Sequence, residues 1–192
     1  CENEKNQINV NIQIDGSSGN FHFEDYTGSY NALQVTEAKL LDYSAWYHLM
    51  VVLDTTQSTA TNRVKMYVNG DLATTKTGGA HALPDQNAEL RISTNTEHAV
   101  GLVNGNKYYD GQIAEMYFLD GLTLTPASFG VADATYGNWK PIQYTGAAGG
   151  DESFYLNFSL PGAGTGACGK DFSGNSNNFA SEGLSSHDRK LD

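Results

Sequence analysis

Apolar and polar side chains alternate near the start of the chain, where Ile8, Val10, Ile12 and Ile14 interleave with Asn9, Asn11 and Gln13. A repeat of two puts each set on its own side of a pleated strand, so the pattern predicts a strand with one apolar face. Asp15-Gly16-Ser17-Ser18-Gly19 reads as a turn, and Phe21 and Phe23 then alternate with His22 and Glu24 in a second strand. Asn31–Lys39, with Leu33 and Val35 in phase, predicts a third. Trp46–Leu53 (WYHLMVVL) is the most apolar stretch and reads as a central strand. Within it Trp46 is taken as a core residue rather than a sugar-stacking one, and His48 as a satisfied structural histidine. Val64, Met66 and Val68 share one face of a further strand, and Asn69-Gly70 follows at once. Both residues of that dipeptide accept positive φ, which makes it the strongest short hairpin signal. Leu90–Ser93 reads as a short strand, and Lys107–Tyr109 and Gln112–Leu119 flank a second hairpin-like turn at Asp110-Gly111. One short helix is predicted, capped by Thr125, opened by Pro126 and stopped by Gly130. Phe154–Phe158 (FYLNF) reads as a last strand.

Composition agrees with many short strands joined by tight turns. Glycine occupies 21 of 192 positions and helix formers are scarce. Strand spacing of about ten residues points to an antiparallel sandwich rather than to βαβ units. The expected fold is therefore all-β, an antiparallel β-sandwich. With 11 Lys+Arg against 22 Asp+Glu, the formal charge is −11. No basic patch offsets it, so nucleic acid and anionic membrane surfaces are not expected partners, and no apolar run suits membrane insertion. Cys1 rather than Met opens the chain, and Cys1–Gln7 is polar and not a signal peptide, so the chain is expected to be a piece of something longer or to have lost its start. Cys1 and Cys168 read either as a disulfide or as two thiols.

From Trp46 onward a family pattern emerges. WYHLMVVLD, a polar loop, then RVKMYVNGDLATT supplies Trp46, His48, Asp54, Tyr67, Val68, Asn69 and Gly70. This block resembles the middle of a laminin-G-like or pentraxin-like module of the concanavalin A-like jelly rolls, and the resemblance runs over roughly Ile8–Gly130. It implies a jelly-roll sandwich over 1–145, with 146–192 supplying a C-terminal strand and a Ser-Gly-Asn loop. That segment either closes the same sandwich or begins a following module. Tyr136-Gly137-Asn138-Trp139-Lys140-Pro141, Tyr144-Thr145-Gly146, FYLNF and Gly169–Phe179 (GKDFSGNSNNF) together resemble structural proteins of tailed bacteriophages. The resemblance implies a non-catalytic fibre, decoration or other appendage protein of a virion. Its expected partners are other virion proteins or further copies of itself, with host surface glycans as ligands. The alternative is a secreted or cell-surface bacterial carbohydrate-binding or adhesin module.

Tyr26, Tyr30, Tyr108, Tyr109, Tyr136 and Trp139 lie in or beside expected loops. An aromatic face packs on the apolar face of a sugar ring while nearby amides and carboxylates bond its hydroxyls, so these six are the glycan-binding candidates. Asp171, Ser173, Asn175 and Asn177 repeat at intervals of two, with Gly174 among them. Such an array brings several oxygens to one point, as Ca²⁺ requires, and equally builds an Asx turn held by its own backbone. The family resemblance implies calcium near such a loop, with Glu115 replacing the acidic residue usual in the closing strand. The glucanase branch of the fold carries a Glu-x-Asp-x-(x)-Glu run that puts two carboxylates on one strand face. No such run occurs here, and the expectation is a protein that is not an enzyme.

Overall fold

The computed structural model describes residues 9–78, 80–94, 98–103, 107–160, 164–165 and 167–181. Among them the secondary structure is strand, with short 3-10 turns as the helical segments, and every strand pairing is antiparallel. Cys1 lies outside the described residues. The chain divides into two compact units, one within Cys1–Thr96 and Thr123–Thr145, the other within Glu97–Leu122 and Gly146–Asp192.

In the first unit, β1 (Asn9–Ile14), β2 (Asn20–Tyr26) and β3 (Tyr30–Lys39) form one sheet in that order. Strands β4 (Leu49–Leu53), β5 (Val64–Val68) and β6 (Asp71–Leu72) form a second. Phe21, Phe23 and Ala32 of the first sheet and Val64 and Met66 of the second join Leu40 and Leu90 in one buried cluster. Leu49, Val51 and Leu53 pack against it. Each sheet thus turns an apolar face inward, and removing that surface from water holds the two layers of a β-sandwich together. The bend Asn69-Gly70 joins β5 to β6 as the sequence predicts, with φ of 50° and 87°.

The local pattern misleads in four places. Ile12 and Ile14 lie opposite Phe23 and Phe21, yet Ile12 is 47% exposed while Asn11 on the other face is buried. Strand β1 lies at the edge of its sheet, and among the described residues the outer part of its apolar face is left open at Ile12. Trp46 is not in the core: it is 62% exposed. The strand begins only at Leu49, and Tyr47 and Leu49 pack against the core instead. Leu90–Ser93 is a 3-10 turn over Arg91–Ser93 rather than a strand. Asp110-Gly111 does not join a hairpin, because the strands flanking it pair elsewhere. Strand β7 (Leu102–Val103) pairs with β8 (Lys107–Tyr108), whereas β9 (Met116–Phe118) takes a partner from the C-terminal segment.

The expected short helix is a 3-10 turn, Pro126–Ser128, after Thr125. It leads into β10 (Gly130–Ala132) and β11 (Trp139–Pro141), a hairpin of the first unit. In the second unit β12 (Phe154–Leu156) pairs with β9, setting Phe154 opposite Phe118 and Leu156 opposite Met116. Phe118 stacks on Phe154, which also meets Phe179 edge-on at 4.9 Å. A last pairing joins β13 (Gly164–Thr165) to β14 (Ala180–Ser181).

Candidate functional site

Between β2 and β3 the chain reverses over Thr27-Gly28-Ser29, with Gly28 at φ 99°. The tight bend sets Tyr26 and Tyr30 side by side, ring centroids 5.0 Å apart and planes at 64°. This edge-to-face geometry is the favourable one for two aromatic quadrupoles. Tyr30 is 41% exposed and borders a cleft of about 280 Å³ completed by Asn31, Leu83, Asp85, Ala88 and Glu89. Burial, then Glu24 and Tyr26, push the Tyr30 phenol above its ordinary pKa, so it stays a hydrogen-bond donor at neutral pH.

The opposite wall is the loop after Leu83, and it is bolted down along its length. Pro84 is fully buried, and its carbonyl accepts from Arg63 Nη1 at 2.9 Å. Asn87 adopts positive φ, and its amide donates to the Thr55 carbonyl at 2.8 Å. Gln86 Nε2 donates to the Thr56 carbonyl, and Leu90 enters the core. Asp25 has no solvent exposure and ties both walls together. Its Oδ1 accepts from Asn31 Nδ2 and its Oδ2 from the Arg91 amide, each at 2.8 Å. The result is a preformed depression with one aromatic wall and side-chain oxygens opposite, the chemistry that binds a polyhydroxylated ring.

Of the six aromatic candidates, the structure brings Tyr26 and Tyr30 together as a pair. Tyr108 lies in β8, and its side chain is outside the described ones. Tyr109 is half-exposed, but its ring lies over Gly111, where a Cβ would fall 2.5 Å from the phenol oxygen. Tyr136 stands 80% exposed at the β10–β11 bend. Trp139 lies flat on the backbone, where a Cβ on Gly70 or Gly130 would sit 2.2 or 2.3 Å from its ring. His48 packs on it at 5.3 Å. Neither His48 Nδ1 nor Trp139 Nε1 finds a hydrogen-bond partner among the described residues, which corrects the reading of His48 as satisfied. Burial lowers the His48 pKa, keeping the ring neutral. The sequence reading missed Asp85 and Glu89. Leu83-Pro84-Asp85 is legible as a turn, but no local rule ties that turn to Tyr30.

The oxygen-rich turn in the second unit is closed on itself. Asp171 Oδ1 accepts from the Tyr155 and Ser173 amides at 2.9 and 2.8 Å. Its Oδ2 accepts from Ser173 Oγ and the Asn177 amide at 2.8 and 2.9 Å. Burial pushes the Asp171 pKa up, but these bonds outweigh it and hold the carboxyl below the usual range. Asn175 and Asn177 turn their amide nitrogens onto the Gly150, Asp151 and Ser153 carbonyls. Glu115 is engaged elsewhere, accepting from the Tyr155 and Tyr117 hydroxyls at 3.1 and 3.0 Å. Those two rings stack in parallel, 4.2 Å apart. Four donors occupy the Asp171 lone pairs that a Ca²⁺ ion would need, so the residues as arranged do not fit the ion.

Residues 2–129 match the Laminin_G_3 family model, described as the concanavalin A-like lectin/glucanases superfamily. No curated protein and no solved structure matches the chain.

Proposed function

The chain belongs to the concanavalin A-like lectin/glucanases superfamily, and on that premise we propose that its first unit is a non-catalytic glycan-binding module whose site is the Tyr30 cleft. The observation that carries this reading is the cleft itself: a half-exposed tyrosine, steadied by a second ring and flanked by Asn31, shares a depression with Asp85 and Glu89 of the opposite loop. The ring supplies a stacking face and the opposite wall supplies acceptors for sugar hydroxyls. Binding needs no calcium in this proposal, since Asp171 is committed to its own turn.

The setting we propose is a virion appendage, in contact with other virion proteins or copies of itself. It rests on the resemblance carried by Trp139–Phe179. A secreted or cell-surface adhesin module is the alternative, and the genes adjoining this one separate the two.

A glycan array followed by calorimetry tests the site. The wild type is expected to bind a glycan equally with and without EGTA and to release no cleavage product from it. Tyr30→Ala is expected to weaken binding at least tenfold, about 1.4 kcal/mol. Tyr136→Ala, at an exposed bend, is expected to leave it unchanged. Unaltered affinity in Tyr30→Ala would remove the cleft from the account, and hydrolysis lost in Glu89→Gln would make the protein an enzyme.

A further inference from the structure

The Tyr30 cleft has a neighbour. A second concavity of about 120 Å³, bordered by Leu53, Thr55 and Ser93, shares both Ala88 and Glu89 with it. Those two residues line both depressions, and the hydrogen bonds to Thr55, Thr56 and Arg63 fix the loop that carries them. A monosaccharide would fill one depression and leave the other to water. A chain of linked sugars passing Ala88 and Glu89 would use both.

The charges along this groove all have one sign. Asp85 lines the larger depression, Glu89 lines both, and among the described residues neither Lys nor Arg lines either one. Both carboxylates are exposed and free to turn toward a ligand. A uronate, sialate or sulfated sugar laid here would meet like charge from two side, whereas an ammonium would meet attraction from both. The net charge of −11 adds a field of the same sign.

We infer that the two depressions are consecutive subsites of one groove that takes an oligosaccharide bearing free amino groups, with Glu89 at the junction meeting an ammonium. The inference rests on the glycan-binding reading above and names the ligand class for that site.

Calorimetry with β-1,4-linked glucosamine oligomers of one to four units, their fully N-acetylated counterparts and oligogalacturonates tests it. The glucosamine dimer or trimer is expected to bind at least tenfold tighter than the monomer and at least tenfold tighter than the acetylated chain of equal length. Galacturonates are expected not to bind. Raising the salt from about 0.05 to 0.5 M is expected to shrink the amine preference, as screening demands. Glu89→Gln is expected to shrink it severalfold with no change in Tm. Asp71→Asn, which removes the same charge from exposed β6 outside the groove, is expected to leave it intact. Equal binding of the amine and acetylated series, lost in Tyr30→Ala, would overturn this inference and leave the glycan site standing. A preference that survives Glu89→Gln, or that falls equally in Asp71→Asn, would also overturn it. Failure of every sugar to bind would overturn both readings.

Discussion

Two buried carboxylates organise the loops of this protein, and each does so through atoms invisible in a sequence pattern. Asp25 sits among the core-facing residues of β2, where its neighbours are Phe21 and Phe23. Burying a charge there is costly unless it is bonded, and the Asn31 amide and the Arg91 backbone supply the bonds. A structural price at that position thereby holds both walls of the cleft. Asp171 plays the same part in the second unit with four donors. The spacing of its neighbours was legible, but whether the oxygens face a cation or their own backbone depended on hydrogens that no spacing reveals. The folded-state pKa of Asp171 lies below the unfolded value of about 3.9, so its stabilising contribution is complete above that value. It is lost as the pH falls through the folded pKa. Thermal unfolding from pH 7 to pH 2 checks this. Asp171→Asn is expected to cost about 1–3 kcal/mol at pH 7, by leaving donors unmatched, and to unfold with a shallower acid dependence than wild type. Parallel acid profiles for the two proteins would show that these bonds do not favour the carboxylate.

At the scale of elements, short-range signals were readable and long-range ones were not. The Asn69-Gly70 bend and the Phe21/Phe23 face follow from rules that span two to four residues. Trp46 failed because an apolar run does not say where its strand begins, and Leu49 starts it. The Asp110-Gly111 turn failed because β9 prefers a partner in the C-terminal segment, a choice made by packing of Phe118 on Phe154. Trp139 was read as a loop aromatic, and its role as the clamp over two hairpins needed Gly70 and Gly130 to be seen beneath it. Gly130 is the cleaner of the two to test, since its φ is not positive. Gly130→Ala is expected to push the Trp139 ring off its seat and destabilise by about 1–3 kcal/mol in urea unfolding. Gly16→Ala meets open space and is expected to stay within about 0.5 kcal/mol of wild type. Equal midpoints for the two variants would mean that the ring is not seated as described.

For the molecule as a whole, fold class was the most legible property, because alternation, glycine-rich turns and the Trp46–Gly70 block all point to one architecture. The site was the least legible. Tyr30 and Glu89 come from segments that only the folded sandwich brings to one cleft, so listing exposed aromatics could name Tyr26 and Tyr30 but could not rank them above Tyr136 or Trp139. The central claim is that a glycan binds at this cleft. Titrating the ¹⁵N-labelled chain with the best oligosaccharide from the array, and mapping amide shifts, tests it most directly. The account predicts perturbations concentrated at Tyr26–Asn31 and Leu83–Leu90. Perturbations concentrated instead at Asp42–Trp46, at Tyr136 or around Asp171–Asn177 would contradict it.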